Sequence, residues 1–145
     1  MDAHKLLLLL VEDSPIDQHL IRYAIALAGL DIHIESVTNG QEAVNYLEGN
    51  SNYANRERYP LPTIIVTDIQ MPYLSGLELL TWIKGQTELT DIPVVVMSTS
   101  GDREQAIQTG ACEYLEKTHN FKSLINILQA LCSRAVHNFS LEGEV

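Results

Sequence analysis

Five short apolar runs alternate with stretches of helical periodicity along the chain. Runs that are apolar throughout and bounded by turn residues are typical of strands buried on both faces, as in a parallel sheet. The third run lies between Pro62 and Pro72 and ends at Asp68, and the second has the weaker alternation of an edge strand. The five predicted strands are Leu6–Val11, Asp31–Val37, Thr63–Asp68, Pro93–Met97 and Glu113–Glu116.

Turn residues and helical periodicity predict one helix after each strand. The first begins at Ser14-Pro15, with Ser14 as the N-cap, and ends near Gly29. The other four begin at Asn39-Gly40, Ser75-Gly76, Gly101-Asp102 and Asn120, and a polar tail follows from about His137. The residues expected to face the core are Ile16, Leu20, Ala24 and Leu27 in the first helix, Ala43, Val44 and Leu47 in the second, Leu77, Leu80 and Ile83 in the third, and Leu124, Ile125, Leu128, Leu131 and Cys132 in the last.

This order of elements predicts an α/β fold with a doubly wound, five-stranded parallel sheet. Because crossovers between parallel strands are right-handed, the expected strand order is 2-1-3-4-5, with helices on both faces, as in flavodoxin-like folds. We expect one domain over residues 1–137, a C-terminal tail over residues 138–145, and no output domain.

Composition and charge narrow the function classes. The net charge of −10 argues against binding of nucleic acid or of an anionic membrane, because both need a basic surface. The two cysteines, Cys112 and Cys132, are predicted to be reduced and mostly buried thiols of a cytoplasmic protein, since they fit neither a disulfide framework nor a zinc site. The apolar run after Lys5 is too short for a secretory signal.

Polar side chains follow four of the five strands at their carboxyl ends, where ligands bind in open α/β sheets. Glu12 and Asp13 follow the first strand, Asp68 ends the third, and Ser98 and Lys117 follow the fourth and fifth. Each has an ordinary alternative role as a cap, a turn residue or a surface charge. Their common position at one edge of the sheet favours a functional site.

The residue types at this edge predict phosphoryl transfer to a carboxylate. Three carboxylates in one crevice repel unless a cation joins them, and oxygen ligands suit Mg²⁺. Lys117 and Ser98 suit an anion that arrives beside the metal. In this interpretation Asp68 attacks phosphorus, Mg²⁺ on Asp13 neutralises charge, and Lys117 with Ser98 holds the phosphoryl oxygens.

The segment Asn50–Leu61 is the one long polar stretch, at the upper end of ordinary loop length. Because it precedes the third strand, it should lie at the end of the sheet opposite Asp68. We expect a surface loop or a partner contact there, without a catalytic role.

In order along the chain, four motifs resemble the receiver domain of two-component response regulators, a CheY-like fold. They are Leu10-Val11-Glu12-Asp13-Ser14, the Val66–Pro72 segment followed by Ser75-Gly76, Val95-Val96-Met97-Ser98, and Tyr114-Leu115-Glu116-Lys117. The Asn50–Leu61 insertion and the turn after Lys117 are similar to a subgroup paired with phytochrome-type histidine kinases.

This resemblance implies a role for each site residue. Asp68 would be the phosphoacceptor, and the chain would assist its own phosphorylation without being a classical enzyme. Ser98 would be the switch hydroxyl and Tyr114 the switch aromatic, although Tyr114 also fits a plain strand position. The Mg²⁺ ligands would be Glu12 through a water, Asp13, Asp68 and the backbone carbonyl of Gln70.

The resemblance also implies partners. A sensor histidine kinase or a phosphotransfer protein would supply the phosphoryl group, and the surface of the fourth helix, fifth strand and fifth helix would pass the signal to an unknown downstream protein or form a homodimer. One departure from the family is Thr118, which stands where a proline with a cis bond is usual.

Three other functions compete with this one. A flavodoxin-type protein would share the fold, but it binds the FMN phosphate after the first strand, where this chain has Glu12-Asp13. An aspartyl-nucleophile phosphatase usually has a second aspartate two residues after the first, and that position is Gln70, which cannot act as a general acid. A degenerate receiver used only for docking would not need the complete set of site residues.

Overall fold

The computed structural model of the protein describes residues 6–99, 101–117 and 121–143, with side chains to residue 133. Strands and helices alternate throughout. The strands are β1 (Leu6–Val11), β2 (Ile32–Val37), β3 (Ile64–Asp68), β4 (Val94–Ser98) and β5 (Glu113–Glu116). The helices are α1 (Pro15–Leu27), α2 (Gly40–Glu48), α3 (Gly76–Lys84), α4 (Arg103–Thr109) and α5 (Lys122–Gly143), with one 3₁₀ turn at Ser51–Tyr53.

The five strands form one parallel sheet in the order β2-β1-β3-β4-β5. This confirms the predicted order and places β2 at an edge. β3 and β4 are buried along their whole length, as expected for central strands of a parallel sheet.

Helices cover both faces of the sheet, as predicted. Alternate residues of β1 point to opposite faces, so Leu7 and Leu9 pack with α2 and α3, whereas Leu8 and Leu10 pack with α1 and α5. Side-chain caps fix the first turns of α1, α2 and α3. Ser14, Asn39 and Ser75 each accept a hydrogen bond from the backbone N–H three residues on.

The predicted core face of α1 is wrong in part. Ile16 and Leu27 are each 70% exposed, and the buried residues are Ile21 and Ile25. The cause is that α1 carries two adjacent apolar rows at helical spacing, and periodicity alone does not distinguish which row faces the sheet.

Two other expectations about side chains need correction. Cys112 lies in the turn before β5 and is exposed, and Cys132 is half-buried, so the prediction of mostly buried thiols is wrong. Tyr46 of α2 is fully buried, although only its aliphatic neighbours were predicted to face the core.

The C-terminal region differs from the expected polar tail, because α5 runs on beyond His137 to Gly143. The domain limit at residue 137 stays a prediction. The predicted cap Asn120 and the unusual Thr118 both lie outside the described residues.

The segment Asn50–Leu61 is a surface loop that leads into the amino end of β3, as predicted. A cluster of three tyrosine rings, Tyr46, Tyr53 and Tyr59, holds it against α2, with ring centroids 5.1–6.0 Å apart. The Tyr46 hydroxyl donates a 2.7 Å hydrogen bond to the carbonyl of Pro60. Arg56 donates to the carbonyls of Tyr46, Leu47 and Tyr59 at 2.8, 2.7 and 3.1 Å, which satisfies the open carboxyl end of α2.

Candidate functional site

The register of the sheet brings the predicted site residues to one edge. Asp68 pairs with Met97, one residue before Ser98, and Ser98 pairs with Glu116, one residue before Lys117. Because Val11, the last residue of β1, pairs with Thr67, the residue before Asp68, the turn with Glu12 and Asp13 lies beside the end of β3.

The turn after β1 fixes the carboxylate of Glu12. The Ser14 N–H donates to Glu12 Oε2 at 3.2 Å, and the Glu12 N–H donates to the carbonyl of Val37 at 3.1 Å. The side chain is only 3% exposed. Burial raises the pKa of Glu12 above its ordinary value, and hydrogen bonds from Lys117 and Ser14 lower that pKa in part.

The backbone of β3 and its loop fix Asp68. The Ile69 N–H donates to Asp68 Oδ1 at 2.8 Å, and the Thr67 hydroxyl donates to the Asp68 carbonyl at 2.8 Å. Gly76, the first residue of α3, lies so close that a Cβ at this position would overlap the Asp68 carbonyl oxygen. A side chain at position 76 would therefore displace either the phosphoacceptor candidate or the start of α3.

Lys117 joins three carboxylates in the described structure. Its Nζ lies 2.6 Å from Glu12 Oε1, 2.9 Å from Asp17 Oδ2 and 3.2 Å from Asp68 Oδ2. Burial disfavours the charged ammonium, but hydrogen bonds to Glu12 and Asp17 more than offset this and raise the pKa of Lys117 above its ordinary value. The side chain therefore carries a full positive charge at the mouth of the site.

The donor set fits a hard divalent cation. Glu12, Asp13 and Asp68 can each offer one carboxylate oxygen such that all these oxygens lie within 4.8 Å of one another. Asp13 is exposed, so the cluster is open to solvent on one side. An all-oxygen set of few protein ligands, with room for water, is what Mg²⁺ or Mn²⁺ prefers. Gln70 lies two residues after Asp68 in the same loop, and the part of its carbonyl in binding a metal stays a prediction.

Ser98 and Tyr114 occupy positions that link the site to α4. Ser98 is fully buried, and its carbonyl accepts a 2.8 Å hydrogen bond from the Lys117 N–H. Tyr114 is also buried, and its hydroxyl accepts a 3.1 Å hydrogen bond from the N–H of Asp102, the residue before α4. Tyr114 is therefore in direct contact with the start of α4.

Sequence reasoning missed Asp17. It is the third residue of α1, and its backbone N–H donates to the Ser14 hydroxyl at 3.2 Å. An acidic residue three positions after a serine N-cap has a sufficient local explanation in helix capping, so no pattern pointed to Lys117. The signal that could have found Asp17 is its distance along the chain: α1 begins two residues after Asp13, so its first turn lies beside the acidic cluster.

Comparison with known proteins identifies the family. The family model of the response regulator receiver domain matches residues 8–129. The chain belongs to this family. It is 32% identical to response regulator Rcp1 of Synechocystis over 127 residues, which cover 86% of this chain and 84% of Rcp1. It is also 32% identical to the polar-differentiation response regulator DivK of Brucella anthropi over 126 residues, 84% of this chain and 92% of DivK.

Solved receiver structures share the fold. The phosphorylated cyanobacterial phytochrome response regulator RcpA has a TM-score of 0.76 and 32% identity, with 88% of this chain and 91% of RcpA covered. The Mn²⁺-bound form of Rcp1 has a TM-score of 0.74 and 31% identity, with 87% of this chain and 91% of Rcp1 covered. Receiver domains bind divalent metal ions, and the acidic cluster of this chain is consistent with that property.

None of the helices in the described part of the chain is long and apolar enough to cross a membrane.

Proposed function

We propose that this response regulator accepts a phosphoryl group on Asp68 from a phosphohistidine and changes its α4-β5-α5 surface in response. The observation that carries the proposal is the position of Lys117 Nζ, 3.2 Å from Asp68 Oδ2 at the rim of the acidic cluster. A cation fixed beside a carboxylate nucleophile is where an incoming phosphoryl group needs positive charge.

In the transfer step, an oxygen of Asp68 attacks phosphorus and forms an acyl phosphate. The P–N bond of the phosphohistidine breaks, its electron pair stays on the nitrogen, and the imidazole leaves neutral because its other nitrogen carries a proton. With acetyl phosphate, the P–O bond breaks and acetate leaves. In both cases the charge on the phosphoryl oxygens increases near Lys117, whose ammonium stabilises it.

Glu12, Asp13, Asp68 and the Gln70 carbonyl would hold Mg²⁺, which when bound supplies charge neutralisation for the phosphoryl oxygens. The chain's own residues position the nucleophile. The Ile69 N–H holds Asp68 Oδ1, so Oδ2, on the side of Lys117, is the oxygen available for attack.

Two contacts support a path from Asp68 to the output surface. Ser98 lies at the end of β4, beside the chain that carries Lys117, and Tyr114 connects β5 with the start of α4. A phosphoryl group that draws on Ser98 and Lys117 would bias these two neighbouring loops, as a population shift between existing conformations.

The similarity to phytochrome response regulators favours a phytochrome-type histidine kinase, or a phosphotransfer protein, as the phosphodonor. The downstream partner is a protein that recognises the α4-β5-α5 surface. A homodimer through this surface, the absence of nucleic acid binding and a cytoplasmic location stay predictions.

The first test is the intact mass of the protein after incubation with acetyl phosphate, with Mg²⁺ or with EDTA. We expect the wild type to gain one phosphoryl group with Mg²⁺ only, and Asp68→Asn to gain none. Asp91→Asn is the matched control, because it removes the same charge in the turn before β4, at the opposite end of the sheet. A wild type that gains no phosphate from either acetyl phosphate or a phosphorylated histidine kinase contradicts the proposal.

A further inference from the structure

Asp17 places a third carboxylate on Lys117, in addition to the two that the family motifs identify. Its Oδ2 lies 2.9 Å from Lys117 Nζ, and its backbone is anchored by the Ser14 cap. An ammonium has three N–H donors, and Glu12, Asp17 and Asp68 lie within reach of all three. Nζ donates hydrogen bonds to Glu12 and Asp68 and forms an ion pair with Asp17, so three carboxylates already share this ammonium before any phosphoryl group arrives.

The three distances show where the ammonium lies. Nζ is nearer to Glu12 and Asp17, at 2.6 and 2.9 Å, than to Asp68, at 3.2 Å. A phosphoryl group on Asp68 Oδ2 brings additional anionic oxygens close to Nζ. These oxygens compete with Glu12 and Asp17 for the three N–H donors of the ammonium.

Asp17 is the partner that can release Lys117 at the smaller cost. Its side chain is 18% exposed, whereas that of Glu12 is 3% exposed, so water can replace the lost contact at Asp17. Asp17 also lies in the first turn of α1, where the helix dipole stabilises a negative charge. Glu12 accepts the Ser14 N–H but is far less open to water, so its contact with Lys117 is the harder one to replace.

We propose that Asp17 is a positioning residue that restrains Lys117 in the unphosphorylated protein and releases it to the phosphoryl group. The restraint opposes phosphorylation, because part of the attraction between Lys117 and the phosphoryl oxygens is spent on separating Lys117 from Asp17. This inference rests on the proposed function, since it needs phosphorylation at Asp68. It assigns to Asp17 control over how readily the site becomes phosphorylated.

The test is Asp17→Asn, which keeps the shape of the side chain and the backbone contact with Ser14 but removes the charge. We expect the initial rate of phosphorylation by acetyl phosphate, and the affinity for beryllofluoride with Mg²⁺, to rise about threefold to tenfold. Asp91→Asn, the same change at the other end of the sheet, should leave both quantities within about twofold of the wild type.

A double-mutant cycle separates this restraint from a general effect of charge. The rate is measured for the wild type, Asp17→Asn, Lys117→Gln and the double variant, with intact mass as the readout, since covalent product accumulates even at a slow site. If Asp17 acts through Lys117, then Asp17→Asn accelerates the wild type but changes the rate of Lys117→Gln by less than about twofold. Denaturation by urea confirms that each variant is folded.

Three results would overturn the inference. An equal acceleration in both backgrounds would make Asp17 only a repulsive charge near the site. A slower or unchanged rate in Asp17→Asn would show that Asp17 does not restrain Lys117. A wild type that gains no phosphoryl group would contradict the proposed function itself. The other two results leave phosphorylation at Asp68 intact and overturn only the role of Asp17.

Discussion

Lys117 and Arg56, at opposite ends of the sheet, each hold three oxygen acceptors in different ways. Lys117 Nζ contacts the carboxylates of Glu12, Asp17 and Asp68. Arg56 donates to the backbone carbonyls of Tyr46, Leu47 and Tyr59. The number of contacts is the same, but the charge balance is not.

The difference separates a rearrangeable contact from a permanent one. Around Lys117, three negative groups share one positive charge. Water can replace this contact at Asp17, and Glu12 and Asp68 belong to the acidic cluster that fits a divalent cation. Around Arg56, the acceptors are neutral carbonyls at the end of α2 and in the loop, which need a donor at all times. We therefore expect the end of the sheet with excess negative charge to respond to a ligand, whereas the neutral carbonyls around Arg56 hold the loop in place.

The largest expected effect tests which end carries the chemistry. Lys117→Gln should lower the initial rate of phosphorylation by acetyl phosphate about 100-fold, because it removes the charge that faces the developing phosphoryl anion. Arg56→Gln, the same exchange at the other end, should leave this rate within about twofold. Similar rate losses in both variants would remove the functional distinction between the two cations.

A second prediction concerns the stability that Arg56 supplies. Arg56→Gln should lower the free energy of unfolding by about 2 kcal/mol, because a glutamine amide cannot reach all three carbonyls and leaves part of the α2 end unsatisfied. Urea denaturation followed by circular dichroism measures this change. Arg58→Gln is the control, since Arg58 is 60% exposed and its pair with Glu35 is 3.3 Å long. Its guanidinium also lies 4.7 Å from the centroid of the Tyr59 ring. We expect a loss of about 1 kcal/mol or less for it, and equal losses in the two variants would contradict the prediction.

The smallest effect is a dependence of stability on pH at the Lys117 end. Burial raises the pKa of Glu12 in the folded protein above its ordinary value of 4.5, so the folded state binds this proton more readily than the unfolded chain. Stability is therefore lost as the pH rises through the folded pKa, and ionised Glu12 costs stability at pH 7. Glu12→Gln should raise the free energy of unfolding at pH 7, with a smaller gain near pH 4.5.

The matched control for this third prediction is Glu57→Gln in the Asn50–Leu61 loop. Glu57 is exposed, so its replacement should change the free energy of unfolding by less than about 0.5 kcal/mol at both pH values. A loss of stability in Glu12→Gln at pH 7 would show instead that the contact with Lys117 outweighs the cost of burial.

The sequence predicts the fold well because its strongest signals are local and consistent. Apolar runs bounded by turn residues define the strands, and serine and asparagine caps define the helix starts. The strand order follows from chain connectivity and the handedness of crossovers. The orientation of α1 could not be predicted, because its two apolar rows differ only in what they meet in the folded protein.

For the site, the sequence predicts which residues lie together but not all of their contacts. Glu12, Asp13, Asp68 and Lys117 meet at one edge, since strand ends in a parallel sheet share that edge. The contact of Asp17 with Lys117 depends on how α1 packs, and a cap position already explained that residue. The role of Arg56 was likewise hidden, because a long loop gives no periodic signal for the carbonyls that it will reach.

At Gly76, the start of α3 packs directly against the backbone of Asp68, with no space for a side chain. The Gly76 N–H donates to the carbonyl of Ile69 at 2.9 Å, and no Cβ fits against the Asp68 carbonyl. The backbone of the phosphoacceptor candidate and the first turn of α3 are therefore displaced together or not at all. Lys117, in contrast, contacts the same carboxylate through a long side chain, which can change rotamer without moving a helix. We therefore expect a change at the Asp68 carboxylate to pass more readily to Lys117 and β5 than to α3.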